Sequence, residues 1–218
     1  MAPSSHKVPM FLFTLLVFSA MQLRGLTMEQ RFVFDSSGGM KVAYKYEVPN
    51  RWVGVLAAFQ KEAAGQINLA AVGGALDEDA VRRQFSGLRG VYLEHFSPFQ
   101  LDDALRVEFT VVALDAAQAL ESGVFGPIHY RGPTAEDRGG FFELQMPDEE
   151  LSRRVDAAHV ERLAEMLGGF DCTLEVTAPS PVLEEASTGT AASATRRVWH
   201  LSLTEILARQ FPKVRVSW

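Results

Sequence analysis

Apolar and polar residues alternate along much of this chain with a period of two, and short stretches of helical period interrupt them. Residues 29–48, EQRFVFDSSGGMKVAYKYEV, show the pattern first. Phe32 and Phe34 alternate with Arg31 and Val33. Ser36-Ser37-Gly38-Gly39 supplies turn residues, and Val42, Tyr44 and Tyr46 alternate with Lys41, Lys45 and Glu47. This predicts a β-hairpin ended by Pro49. A second hairpin is predicted from Val91–Phe99, the turn Leu101-Asp102-Asp103-Ala104, and a long strand in which Leu105, Val107, Phe109, Val111 and Ala113 share a face. Four further strands are expected at Phe141–Met146, Phe170–Ala178, Arg197–Leu203 and Val214–Trp218.

Helical spacing enters between these strands. Asn50 can cap a helix from Arg51 to about Ala64, with Trp52, Leu56, Phe59 and Ala63 on one face. Asp77 caps a shorter helix through Phe85 with acids in its first turn, and Asp115 caps one to about Ser122. A helical region follows Pro147 and ends at Gly168, and Thr204–Gln210 is a last short helix. Residues 123–140 carry many glycines and prolines and are expected as a long loop or insertion. Residues 186–195, ASTGTAASAT, have no apolar anchor and are expected as a mobile loop. The class this order defines is α+β, an antiparallel β-sheet of hairpins packed against two to four amphipathic helices.

Met10–Ala20, MFLFTLLVFSA, breaks both periods. It is apolar throughout, follows His6 and Lys7, and is too short to span a bilayer. Residues 1–25 therefore read as a secretory signal peptide, and residues 26–218 as a single exported domain, long enough to bury a core. An uncleaved signal would instead tether the domain to the membrane. The expected location is the periplasm or cell envelope.

Charge and cysteine content narrow the function. The net charge is −6, and the pairs Arg82-Arg83, Arg153-Arg154 and Arg196-Arg197 stand apart, which argues against a nucleic-acid partner. Cys172 is the single cysteine, so the exported domain relies on packing, not on an internal disulfide. His95, His129, His159 and His200 have no metal-site spacing, and neither HExxH nor GxSxG occurs. The glycine pairs lack phosphate-loop spacing. No catalytic residue, metal ligand or cofactor is assigned.

The stretch MKVAYKYEVP before a Trp-led helix, the strand-to-helix stretch VEFTVVALDAAQAL, and the closing strand–TAPSPV–loop–RRVWHLSLTEIL unit with Trp199 in the returning strand resemble the LppM-type domain of exported bacterial lipoproteins. The resemblance covers residues 29–218. It implies an exposed α+β module with a cavity for an amphiphile, and no catalytic residues. The chain departs from that family in having no lipid-attachment cysteine after the apolar run and no closing membrane helix.

The leading expectation is an exported, non-enzymatic binding or interaction module, with a lipid or other amphiphile or an envelope protein as its partner. Aromatics of the first helix and the long strands, Trp52, Phe59, Tyr92, Phe96 and Phe109, are the candidate cavity lining. Two alternatives stand beside it. Val214, Val216 and Trp218 alternate with Lys213, Arg215 and Ser217 as in the last strand of a small outer-membrane β-barrel. A secreted hydrolase of unrecognised type is the other.

Overall fold

The structure is a computed structural model and describes residues 27–51, 53–54, 76–134, 139–144, 171–202 and 213–218. The expected first hairpin is β1 (Thr27–Phe34) and β2 (Met40–Pro49), paired from Thr27↔Glu47 to Phe34↔Met40. Its turn is held by Asp35, whose Oδ1 accepts the N–H of Ser37 at 2.8 Å and of Gly39 at 3.0 Å. The second hairpin is β3 (Val91–Gln100) and β4 (Ala104–Ala113). β4 also pairs with β2, from Met40↔Ala113 to Pro49↔Ala104. The helices α1 (Glu78–Phe85) and α2 (Ala116–Glu121) begin where capping predicted. Asp77 accepts from Ala80 N at 2.8 Å and Asp115 from Gln118 N at 3.0 Å.

The remaining strands are β5 (Ile128–Arg131), β6 (Phe141–Leu144), β7 (Asp171–Thr177), β8 (Thr190–Ser193), β9 (Arg196–Ser202) and β10 (Arg215–Ser217). They complete two sheets. A seven-stranded sheet has the order β3-β4-β2-β1-β7-β9-β8, and a three-stranded sheet the order β10-β6-β5. The larger sheet is mixed because β1 and β7 run parallel from Thr27↔Asp171 to Val33↔Thr177. This corrects the expected single antiparallel sheet. Adjacent hairpins account for most pairings, but β7 arrives after a long excursion and joins β1 on its free side, which hairpin logic alone does not foresee.

Alternation along each strand divides the larger sheet into a core face and an outer face. The core face carries Met28, Phe32 and Phe34, then Val42, Tyr44, Tyr46 and Val48, then Val107, Phe109 and Val111, then Cys172, Leu174 and Val176, all buried. Burying each such side chain stabilises by about 1.5–3 kcal/mol. Val81 and Phe85 of α1, Ala119 and Leu120 of α2, and Phe125 join this core. The three-stranded sheet closes one end of it. Phe142 sits 5.1 Å from Phe32 and 5.9 Å from Phe34, and the Trp218 ring lies 5.8 Å from Phe34.

Three expectations change here. The stretch 123–140 contains β5, whose four residues between Gly126 and Gly132 are too few to show an alternation. The stretch 186–195 is ordered by pairing. β8 lies against β9, and backbone groups of Leu183 and Thr188 bond Ser217 and Arg215 of β10. Such contacts use backbone and hydroxyl groups and need no apolar anchor, so composition does not reveal them. Val214, Val216 and Trp218 alternate because they face the core, at 0%, 0% and 5% exposure, and the described strands form two open sheets, not a closed barrel. The helix expected from Arg51 is seen at its start, where Asn50, Arg51, Val53 and Gly54 are helical; the rest of it, the helices expected after Pro147 and at Thr204–Gln210, and the signal peptide fall on residues outside those described.

Candidate functional site

Strand register carries one transverse row of side chains across the whole core face: Phe96, Phe109, Tyr44, Gln30, Leu174 and Trp199. Phe109 stacks on Tyr44 with ring centroids 4.7 Å apart and on Phe96 at 6.2 Å, and Tyr46 meets it edge-on at 6.1 Å. Gln30 is half-buried and donates from Nε2 to the Tyr44 hydroxyl at 3.2 Å. It is an amide on an otherwise apolar stretch, and burial pushes the Tyr44 phenol well above the ordinary tyrosine range. The row therefore combines stacked rings, of which Tyr44 and Phe109 are buried, with one neutral hydrogen-bonding pair.

Of the sequence-predicted lining, Phe96 and Phe109 meet in this row. Tyr92 does not. It lies on the outer face opposite Val112 and is 48% exposed. A β-bulge between Leu93 and His95 makes the split. An unbroken strand would put residues 92 and 96 on one face, but the extra residue Glu94 reverses the alternation between them. Trp52 and Phe59 lie outside the described residues. Sequence reading missed Tyr44 and Gln30, and the signal for both was their place in predicted strands beside β4.

The outer face of the larger sheet is polar and ion-paired. Lys41 pairs with Glu94 at 2.7 Å, Lys45 with Glu29 at 3.3 Å, and Arg31 with Glu175 at 2.9 Å; Arg106 also pairs with Glu47. The Lys41 and Lys45 pairs are exposed and contribute little each, about 0–1 kcal/mol, whereas Glu175 and the Arg106–Glu47 pair are partly buried. His95 and His200 lie on this outer face, the latter 3.3 Å from Thr173 Oγ1. His159 lies outside the described residues. No group of three or more histidine, cysteine or acidic side chains among the described residues is arranged to hold a metal ion. Cys172 is buried, and burial, with Asp171 adding to it, pushes its thiol up to about 12.

The smaller sheet shows a different outer face. The Phe141 ring meets His129 edge-on at 5.0 Å, and the guanidinium carbons of Arg131 and Arg215 stand 5.7 and 5.6 Å from its centroid. Arg215 also reaches Glu143 at 3.3 Å. On the inner side of the same strands the Tyr130 ring stacks on Phe34 at 4.8 Å. Its phenol is pushed up to about 12, by burial first and then by the charges of Asp35 and Asp115.

No family model matches the chain, and no curated protein matches it. Among solved structures it is similar to the NMR structure of the folded domain of LppM from Mycobacterium tuberculosis, with 13% identity over 90% of each chain and a TM-score of 0.46. This is the domain type that the sequence pattern resembles. No ligand or activity is carried over from it.

Proposed function

We infer that the chain is an exported, non-enzymatic binding module of the cell envelope, whose ligand is a lipid or other amphiphile. The observation that carries this reading is the core-face row. Phe96, Phe109 and Tyr44 stack into one apolar band, with Phe109 and Tyr44 buried and Phe96 half-buried, and the half-buried Gln30 beside the Tyr44 hydroxyl is the polar group that would meet a neutral headgroup. The apolar run Met10–Ala20 supports export, and retention of that run would keep the module at the membrane surface. The test is native mass spectrometry of the full-length chain recovered from the envelope fraction of an exporting host. A hydrophobic adduct that is lost in Gln30→Leu supports the reading. Recovery of an empty protein, or one confined to the cytoplasm, sinks it.

A further inference from the structure

Residues 183–188 run from the larger sheet to the smaller and lie along the outer edge of β10. Val214 and Trp218 bond β6 through Leu144 and Gly140, which leaves the backbone groups of Arg215 and Ser217 pointing away from β6. The stretch meets all of them. Leu183 N–H donates to the Ser217 carbonyl and Thr188 N–H to the Arg215 carbonyl, both at 2.8 Å, and the hydroxyls of Ser187 and Thr188 accept the N–H groups of Ser217 and Arg215. Little apolar surface holds the stretch down. Val182, at its start, is buried and tied by its N–H to the Ala194 carbonyl at 2.8 Å, but Leu183 is 55% exposed and Glu184, Glu185 and Ala186 are exposed as well. Gly189, just past its end, takes a φ of +83 that glycine adopts freely.

The remaining tie is electrostatic. The Glu184 carboxylate accepts from Nη2 of Arg197, a guanidinium that is 1% exposed and whose Nη1 donates to the carbonyls of Ser193 and Arg196. Those carbonyls belong to the β8–β9 turn and stay with the guanidinium if Glu184 leaves. Release of Glu184 lets water reach a charge that the closed arrangement keeps desolvated, so part of the cost of opening is returned. We propose that residues 183–188 form a latch, pinned by the Glu184–Arg197 pair, which opens as a unit between Val182 and Gly189 while both sheets stay folded and so uncovers the outer edge of β10. Opened, Arg215 and Ser217 present two N–H and two C=O groups, a short free edge of the kind to which an extended chain adds. The edge strand β3 is unsuited to that use, because Pro98 and the bulge at Glu94 interrupt its ladder. The latch stands independently of the amphiphile reading.

The experiment is native-state hydrogen exchange of the full-length protein, followed by NMR in water and in low concentrations of urea. The amides of Leu183, Thr188, Arg215 and Ser217 should exchange with one common protection, at least about tenfold lower than that of Tyr44, Val111 and Val176 in the central strands, and nearly independent of urea, because a local opening exposes little surface. Glu184→Gln should speed these amides together by about fivefold, the difference between a charged and a neutral acceptor for the guanidinium. Lys45→Gln, which removes an exposed pair on the larger sheet, should leave them unchanged. Protection and urea dependence equal to those of Tyr44 would overturn the proposal by making the stretch part of the global unit. Joint exchange of Phe142 would overturn it by showing that the small sheet itself opens. A response to Glu184→Gln at Leu183 alone would do so by reducing the latch to local fraying.

Discussion

Thr188 Oγ1 accepts the backbone N–H of Arg215 at 3.1 Å, so a side-chain hydroxyl completes the free edge of β10 where a neighbouring strand would supply a carbonyl. Ser187 Oγ does the same for the N–H of Ser217 at 2.9 Å. The backbone N–H groups of Leu183 and Thr188 donate in return to Ser217 and Arg215, both at 2.8 Å. Thr188 Oγ1 also accepts the indole N–H of Trp199 from β9 at 3.3 Å. One hydroxyl thus links the two sheets. Thr188→Val keeps the shape and leaves two donors without their acceptor, which should cost about 1–3 kcal/mol. Thr188→Ser should recover most of that loss. Urea denaturation of the three proteins checks it, and equal midpoints for Val and wild type would refute the linking role.

Gly189 follows directly and is held at φ +83, where a Cβ would lie 2.5 Å from Cε2 of Trp199. Gly38 has a similar φ of +91 with nothing within 4 Å. The two glycines separate backbone strain from crowding. Gly38→Ala should lose about 1–2 kcal/mol, the penalty of a left-handed L-residue. Gly189→Ala should lose that and about 1–3 kcal/mol more, because the indole must move within a packed seam. A difference in midpoint between the two variants is the expected result. Equal losses would mean that Trp199 yields without strain.

Most of the strand and helix order was legible in the sequence because it follows from alternation and caps. Asp77, Asp115 and the turns at Ser36–Gly39 and Asp102-Asp103 act through contacts within a few residues of themselves. What stayed hidden depends on distant partners. The β1–β7 pairing joins Thr27 to Asp171 with no local trace in either strand. The bulge at Glu94 hides in a run, VYLEHFSPFQ, that alternates equally well in either phase. It alone puts Tyr92 and Phe96, expected side by side, on opposite faces of the sheet. The ordering of residues 186–195 rests on hydroxyl bonds that resemble loop chemistry until their acceptors and donors are placed.

Cys172 gives a probe of the core. Burial raises its thiol to about 12, so in the folded protein the nucleophilic thiolate is suppressed throughout the neutral and mildly alkaline range. The sign for stability follows. The unfolded chain releases this proton near the ordinary value of 9.0, and the folded state cannot, so stability falls as pH rises between 9.0 and about 12. At pH 8 a thiol reagent should label Cys172 at the rate of unfolding and immediately in denaturant. Rapid labelling of the native protein would show that the Met28–Cys172–Leu201 row is open to solvent.

Asp35 acts at the opposite end of the pH scale. The Ser37 hydroxyl, with the N–H groups of Gly39, Ser37 and Gly38, holds its carboxyl below 3.8 against the opposing effect of partial burial. A depressed folded value means that the stabilisation is present above the unfolded value and is lost as pH falls through the folded one. Asp35 is mostly exposed, so the effect is small. Asp35→Asn should be less stable than wild type at neutral pH, and that gap should close on acidification below about pH 4. A gap that persists at low pH would place the role of Asp35 in turn geometry rather than charge.

Arg197 poses the last question of stability, because it is the one charged side chain on the core face of β9, 1% exposed and opposite Val176. Its Nη1 donates to the carbonyls of Ser193 and Arg196 at 3.1 Å each, and its Nη2 to the carboxylate of Glu184, whose side chain is 74% exposed. Desolvating a guanidinium is expensive, and a carboxylate that stays in contact with water offsets it at lower penalty than a fully buried partner would. The two halves of the pair should therefore respond unequally. Glu184→Ala strands the buried charge and should destabilise by about 1–3 kcal/mol. Arg197→Met removes the charge together with its need for a partner and should cost less than Glu184→Ala, since the stem of the arginine already packs as an apolar residue. In the double variant the loss should approach that of Arg197→Met alone. If Arg197→Met proves the more damaging, the guanidinium's two carbonyl contacts, and not its ion pair, hold the β8–β9 turn in place.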